Sequence, residues 1–189
     1  MIVVYGGTFN PPTKAHQIIA NKIIEIFRPD KFILLPVGDH YTWKDLHVSF
    51  KDRFNMLKLA FEEEIFVVSE LENSNTYKGT YHALNEIKNT YKTSVYFLLG
   101  ADNLSYVDQW INYEALIRDF NFIVLKRPGF DLDEIILKYH PHEHKFHIIE
   151  LHLDISSSMY RKEPKKYEDF IPDNVLTYIA KKKLYEVTL

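Results

Sequence analysis

The sequence contains no cysteine. That excludes disulfides, thiolate nucleophiles and cysteine-ligated metal sites, and a reducing compartment is the natural home for such a chain. An excess of positive charge is missing too: 23 Lys and Arg stand against 26 Asp and Glu, for a formal net charge of −3. Without a basic stripe no nucleic-acid partner is expected, and any anionic ligand must be held by local groups. No apolar run approaches the roughly 20 residues that span a bilayer, and the N-terminus lacks a basic region followed by a long apolar one. The expectation is a cytoplasmic protein with no membrane contact. Internal repeats, low-complexity tracts and linkers are also lacking. What is present is globular, since 46% hydrophobic and 26% charged residues exclude a disordered chain. The 189 residues are enough for one domain, 1–189, with a core that needs no staples.

Short apolar runs bounded by glycine or proline alternate with stretches of helical periodicity. Strands are expected at 2–5, 31–35, 65–68, 95–99, 122–125 and 147–153. Helices are expected after Thr13, over 50–61, 82–91, 110–119 and 131–139, and at the C-terminal end over 172–183, within a helical segment that starts at about 156. Alternating strands and helices predict an α/β fold, a doubly wound parallel sheet of the Rossmann-like kind. In such sheets ligands bind beyond the carboxyl ends of the strands, where strand order reverses. Three candidate stretches follow strands.

The first is Gly6-Gly7-Thr8-Phe9-Asn10-Pro11-Pro12-Thr13-Lys14-Ala15-His16. It reads as strand, glycine turn, helix. Pro11 and Pro12 suit a helix entry and Thr13 an N-cap or first turn. First-turn amides have no intrahelical acceptor and carry the positive end of the dipole, so phosphate binds there readily. Thr13 and His16, three apart, add a hydroxyl and an imidazole on the same face. By itself the stretch is as compatible with an ordinary turn and cap as with an anion cradle. The second is Gly100-Ala101-Asp102, at the end of the most apolar strand. The third is Ser156-Ser157-Ser158-Met159-Tyr160-Arg161. Taken singly, the serines read as an N-cap run and Asp102 as a turn residue.

Together these stretches carry a resemblance. Gly6 to His16 resembles the N-terminal signature of the nucleotidyltransferase superfamily, which ends in His-x-x-His or Thr-x-x-His. Ile155-Ser156-Ser157-Ser158-Met159-Tyr160-Arg161 resembles its second signature. Two motifs about 140 residues apart in the right order are specific. Gly100-Ala101-Asp102-Asn103-Leu104, then Trp110, then Arg127-Pro128-Gly129 resemble the bacterial nicotinate-nucleotide adenylyltransferases over nearly the whole chain. The resemblance implies an enzyme of NAD biosynthesis that joins ATP and nicotinate mononucleotide to give deamido-NAD and pyrophosphate, with Mg²⁺ accompanying the ATP. It implies an ATP site of Gly6, Gly7, Thr8, Phe9, Thr13, His16, Gly100, Asp102, Ser156, Ser157, Ser158 and Arg161, with Thr13, His16 and Arg161 catalytic. For the acceptor it implies a stack on Trp110, with Lys44, Thr80 and Tyr81 nearby; a tryptophan in a core or interface is the ordinary alternative. Physically the reaction needs no protein nucleophile, because the acceptor phosphate attacks the α-phosphorus and the protein positions and neutralises.

The chain departs from the family pattern at several places. Asn10 stands for the usual Asp, Ala15 for the usual Gly and Thr13 for the first His; Ala15 is expected to crowd the adenine side. Thr76-Tyr77-Lys78-Gly79-Thr80-Tyr81-His82 keeps the family's Arg-x-Gly-x-Ser-Tyr-Thr element poorly, and the stretch after Arg161 is shorter than usual. Phosphopantetheine or nicotinamide mononucleotide therefore stays open as the acceptor, as do a non-catalytic nucleotide-binding module and a homo-oligomer. His140, His142, His144, His147 and His152 lie close together. Their spacing around Pro141, next to Glu143 and Lys145, suits an exposed loop leading to an edge strand better than a metal site.

Overall fold

The computed structural model describes residues 1–40, 46, 48–74, 76–151 and 153–185. Lys44 and His152 lie outside them. Six strands, β1 (Ile2–Gly7), β2 (Lys31–Pro36), β3 (Phe66–Val68), β4 (Val95–Gly100), β5 (Asn121–Leu125) and β6 (Phe146–Ile149), form one all-parallel sheet in the order β3-β2-β1-β4-β5-β6. The chain moves outward from β1 to β3, then crosses to β4 and moves outward the other way. Strand order thus reverses between β1 and β4, the doubly wound arrangement that the alternation of elements predicts.

The helices are α1 (Lys14–Phe27), α2 (Phe50–Ala60), α3 (Thr80–Tyr91), α4 (Ala101–Leu104), α5 (Tyr113–Asp119), α6 (Leu132–Leu137), α7 (Ser157–Lys162) and α8 (Asp173–Lys182). Strand side chains alternate between two cores. Val4, Ile33, Phe97 and Val124 face one, closed by Leu84 and Ile87 of α3, Leu116 of α5 and Ile135 of α6. Val3, Phe32, Leu98 and Ile123 face the other, closed by Ile19 and Ile23 of α1, Leu57 of α2 and Val175 and Ile179 of α8. Both faces being covered explains why the strands are apolar throughout.

Two expectations are corrected. Trp110 does not open a helix: it follows a 3₁₀ turn (Val107–Gln109) in extended conformation, and α5 starts at Tyr113 because Asn112 adopts a left-handed φ of 58° that breaks the run. β6 ends at Ile149, short of the expected 153. α8 packs on α2, where Tyr178 Oη donates to Asp52 Oδ1 at 2.8 Å and Asn174 Nδ2 to the Leu59 carbonyl at 2.6 Å.

Candidate active site

The β1–α1 turn sits at the carboxyl end of β1, beside the switch. Thr13 is the N-cap of α1 and is fully buried; its backbone N–H donates to His16 Nδ1 at 2.9 Å, and its Oγ1 lies 2.8 Å from the same nitrogen. An Nδ1 that accepts leaves the neutral ring's proton on Nε2, which makes His16 an N–H donor. Tyr5 and Phe9 wall the imidazole, with ring centroids 5.9 and 5.1 Å away. Burial, and then the Arg127 charge, push its pKa down to about 4, so the ring is neutral near pH 7.

These contacts revise two roles. The Thr13 hydroxyl orients the imidazole and is closed to solvent, and the buried Phe9 ring packs in the core, where its contact with His16 makes it part of the imidazole's seat. The helix amides left without intrahelical acceptors are those of Lys14 and Ala15, since the His16 N–H already donates to the Thr13 carbonyl at 3.0 Å.

The serine-rich stretch closes on this turn from 146 residues away. Ser157 Oγ donates to the Pro11 carbonyl at 2.7 Å, and Arg161 Nη1 to the Asn10 carbonyl at 2.5 Å. Ser156 caps α7, accepting from the Met159 N–H at 3.3 Å, and Ser158 is exposed, 3.0 Å from the Ser156 hydroxyl. One guanidinium nitrogen of Arg161 therefore anchors the turn, and the rest of the fork is a candidate for phosphate.

Two cavities, of about 210 and 350 Å³, lie at the strand ends. The larger is lined by Ala15 and Ile19 of α1, Asp102, Leu125, Arg127 and Asp154. Asp102 Oδ1 and Arg127 Nε pair at 3.0 Å. Gly100 leaves room for that pair: a Cβ there would meet Asp102 Oδ1 at 2.3 Å and Arg127 Nε at 2.8 Å and displace them. Ala15 is among the residues that line this cavity.

The smaller cavity is lined by Gly6 to Thr8, Glu72, Tyr77, Thr80, Asn103 and Trp110, among others. Trp110 leans edge-on against Phe97, with centroids 6.2 Å apart and planes at 70°. Thr80 Oγ1 donates to Glu72 Oε1 at 3.1 Å, and Tyr77 Oη lies 3.5 Å from Thr80 Oγ1. Tyr81 does not join this cavity: its hydroxyl donates to Asp119 Oδ2 at 3.1 Å and its ring packs on Phe120. Tyr77, four residues earlier, lines it instead.

Sequence reasoning assigned no role to Arg53 or Glu72, and it named Arg127 and Tyr77 only as members of family elements. Arg53 has no exposure; its Nη1 donates to the Thr8 carbonyl at 3.0 Å, Nη2 to the Val37 carbonyl at 2.7 Å and Nε to the Val48 carbonyl at 3.2 Å, so one side chain ties three loops around the site. Asn10, also buried, donates from Nδ2 to the Leu46 carbonyl and accepts at Oδ1 from Tyr185 Oη at 2.5 Å. An amide supplies both a donor and an acceptor, whereas a carboxylate would set its charge against the Leu46 carbonyl; that accounts for Asn at a position where the family usually has Asp.

His140 Nδ1 is 2.7 Å from Glu143 Oε1, while His147 packs on Tyr96 and Phe27. Among the described residues no group of three or more His, Asp or Glu is placed to hold a metal ion.

A six-stranded parallel sheet with a Thr-x-x-His helix entry at its switch and a Ser-Arg clasp over it defines a Rossmann-like nucleotidyltransferase. In keeping with this, the cytidylyltransferase-like family matches residues 4–163. The chain belongs to the nicotinate-nucleotide adenylyltransferase family. It is 40% identical to a probable nicotinate-nucleotide adenylyltransferase of Acholeplasma laidlawii over 98% of both chains, and 33% identical to one of Clostridium tetani over 96% of this chain and 97% of that one. Among solved structures, the nicotinic acid mononucleotide adenylyltransferase of Plasmodium falciparum complexed with NaAD superposes with a TM-score of 0.82 at 28% identity, covering 97% of this chain and 96% of that one. The same enzyme complexed with APC gives 0.79 at 27%, with the same coverage.

Proposed function

We propose that the chain, acting as one nucleotidyltransferase unit over 1–189, transfers the adenylyl group of ATP to nicotinate mononucleotide, giving deamido-NAD and pyrophosphate in the cytoplasm. The observation that carries this reading is the pair of cavities at the switch: one holds the Asp102–Arg127 pair beside α1, the other Trp110, and the first turn of α1 stands at the same strand ends. Two half-sites suit two nucleotide halves joined at a phosphate.

In this reading ATP places its adenosine in the larger cavity, with Asp102 at the sugar hydroxyls. Its phosphates meet the Lys14 and Ala15 amides, the His16 Nε2–H and the Arg161 guanidinium. An acceptor phosphate oxygen attacks the α-phosphorus in line, the bond to the bridging oxygen breaks, and pyrophosphate leaves with the electron pair. Charge builds on the non-bridging oxygens. A neutral imidazole whose Nδ1 is fixed by Thr13 presents its Nε2–H without reorganising, which is where transition-state stabilisation comes from. Mg²⁺ would arrive with the triphosphate as part of the substrate, where phosphate oxygens and water would hold it and it would neutralise phosphate charge. The acceptor's pyridine ring stacks on Trp110. That ring favours a pyridine nucleotide over phosphopantetheine, which has no aromatic ring to place there.

The test is pyrophosphate release by the purified chain with Mg-ATP and each acceptor in turn. Release with nicotinate mononucleotide is expected; release with phosphopantetheine alone would overturn the assignment.

A further inference from the structure

The smaller cavity has an unusual charge balance. Glu72 and Tyr77 are the titratable side chains lining it, and no lysine, arginine or histidine does so among the described residues. Glu72 is 6% exposed. Its one side-chain hydrogen bond is to Thr80, and burial pushes its pKa up to about 7 against the lowering effect of that bond. Nor is the segment free to withdraw, because the Glu72 carbonyl is pressed so closely to Gly38 that a Cβ there would lie 2.0 Å from it. Among the described residues, the β1 turn, Val37 after β2, Thr80 of α3 and Gln109 to Ile111 bring no further charge to the cavity.

A pyridine bearing a carboxylate would thus enter a cavity that already holds a buried carboxyl. Two like charges in one low-dielectric space do not both stay ionised, and nicotinate is the stronger acid. We propose that Glu72 is the residue that sets acid against amide choice: it meets a carboxylate acceptor as the neutral acid, donating its O–H, and meets a carboxamide acceptor as the carboxylate, accepting from the N–H. Binding nicotinate mononucleotide therefore takes up a proton at Glu72, and binding nicotinamide mononucleotide does not. This deepens the functional reading above and rests on it.

The experiment is calorimetric titration of the full chain with each mononucleotide at pH 7.5, in buffers of different ionisation enthalpy. Both ligands carry the same ribose phosphate, so its protonation cancels in the comparison. Nicotinate mononucleotide should take up more protons, by up to about one per site, and Glu72→Gln should abolish the difference. In turnover, the kcat/KM ratio of acid to amide acceptor should fall by up to about tenfold per pH unit above about 7 in the wild type and stay flat in Glu72→Gln. Equal proton uptake by the two ligands in the wild type overturns the proposal without recourse to any variant. So does a difference that survives in a folded Glu72→Gln. Binding of neither ligand at any pH would instead overturn the functional reading, and the proposal with it.

Discussion

The β1–α1 turn and the smaller cavity lie together at the carboxyl ends of the central strands, yet they are built in opposite ways. The turn is drawn from two compact stretches, 6–16 and 156–161, and its side chains are already fixed by partners: Thr13 to His16, Ser157 to Pro11, Arg161 to Asn10, and Asn10 to Tyr185. The cavity is assembled from at least five separated segments, held by the Thr80–Glu72 bond and by aromatic packing at Trp110. A preorganised turn suits charge stabilisation that must not cost reorganisation during reaction. A cavity with a buried carboxyl in its wall suits choosing between similar ligands. On the proposed reading, transfer chemistry and acceptor choice fall to physically different kinds of site.

Arg53 joins the two regions, and its loss should have the largest effect. Arg53→Met would leave the Thr8, Val37 and Val48 carbonyls without their donor. Each unsatisfied buried group costs ~1–3 kcal/mol, so a loss of roughly 4 kcal/mol in unfolding free energy is expected, with KM for both substrates raised. Denaturant unfolding with steady-state kinetics measures both; damage confined to one substrate would show that the regions are not tied through this side chain.

His16→Ala should lower kcat by ~10² to 10³ with the fold retained, because it removes a donor to the developing charge. Circular dichroism and turnover together check this, and unchanged turnover removes His16 from the mechanism.

Trp110→Ala should act on the other region alone. Stacking of a base on an aromatic side chain is worth ~1–3 kcal/mol, so KM for the acceptor should rise by roughly tenfold to a hundredfold while KM for ATP holds. Equal rises in both would place the stack elsewhere.

The smallest effect expected is on acid stability. The folded chain keeps His16 neutral down to about pH 4, whereas the unfolded chain protonates it near 6.5. The unfolded state thus binds more protons in that window, and stability from this group is full above 6.5 and lost as pH falls from 6.5 towards 4. Urea midpoints of wild type and His16→Gln at pH 7 and pH 5 measure it; an equal fall in both would contradict the neutral imidazole.

The same contrast decides what could be read before any coordinates. The six strands and the switch were legible because a sheet covered on both faces imposes apolar runs at every strand. His16 was legible because its partner Thr13 lies three residues away, and Ser157 and Arg161 because their stretch resembles a family signature, although their partners Pro11 and Asn10 lie 146 and 151 residues away. Trp110 was found as a residue but misplaced in a helix, because the left-handed Asn112 leaves no mark in an apolar periodicity. Glu72 and Tyr77 lie in a polar stretch that reads as a connection, and only tertiary packing buries the carboxyl. Arg127 was noted within Arg127-Pro128-Gly129, but its pairing with Asp102 depends on β4 and β5 being neighbours. Arg53 did leave a signal, lying three residues after Phe50 and four before Leu57, on the buried face of α2. A charge on an apolar stripe marks a buried anchor more often than an error in the pattern.

The most direct test of the account is a structure of this chain with nicotinate adenine dinucleotide bound. Adenosine should lie in the cavity of Asp102 and Arg127, the phosphates against the Lys14 and Ala15 amides and His16 Nε2, and the pyridine on Trp110 beside Glu72. A dinucleotide bound in the reverse sense, or away from the β1–β4 switch, would contradict it.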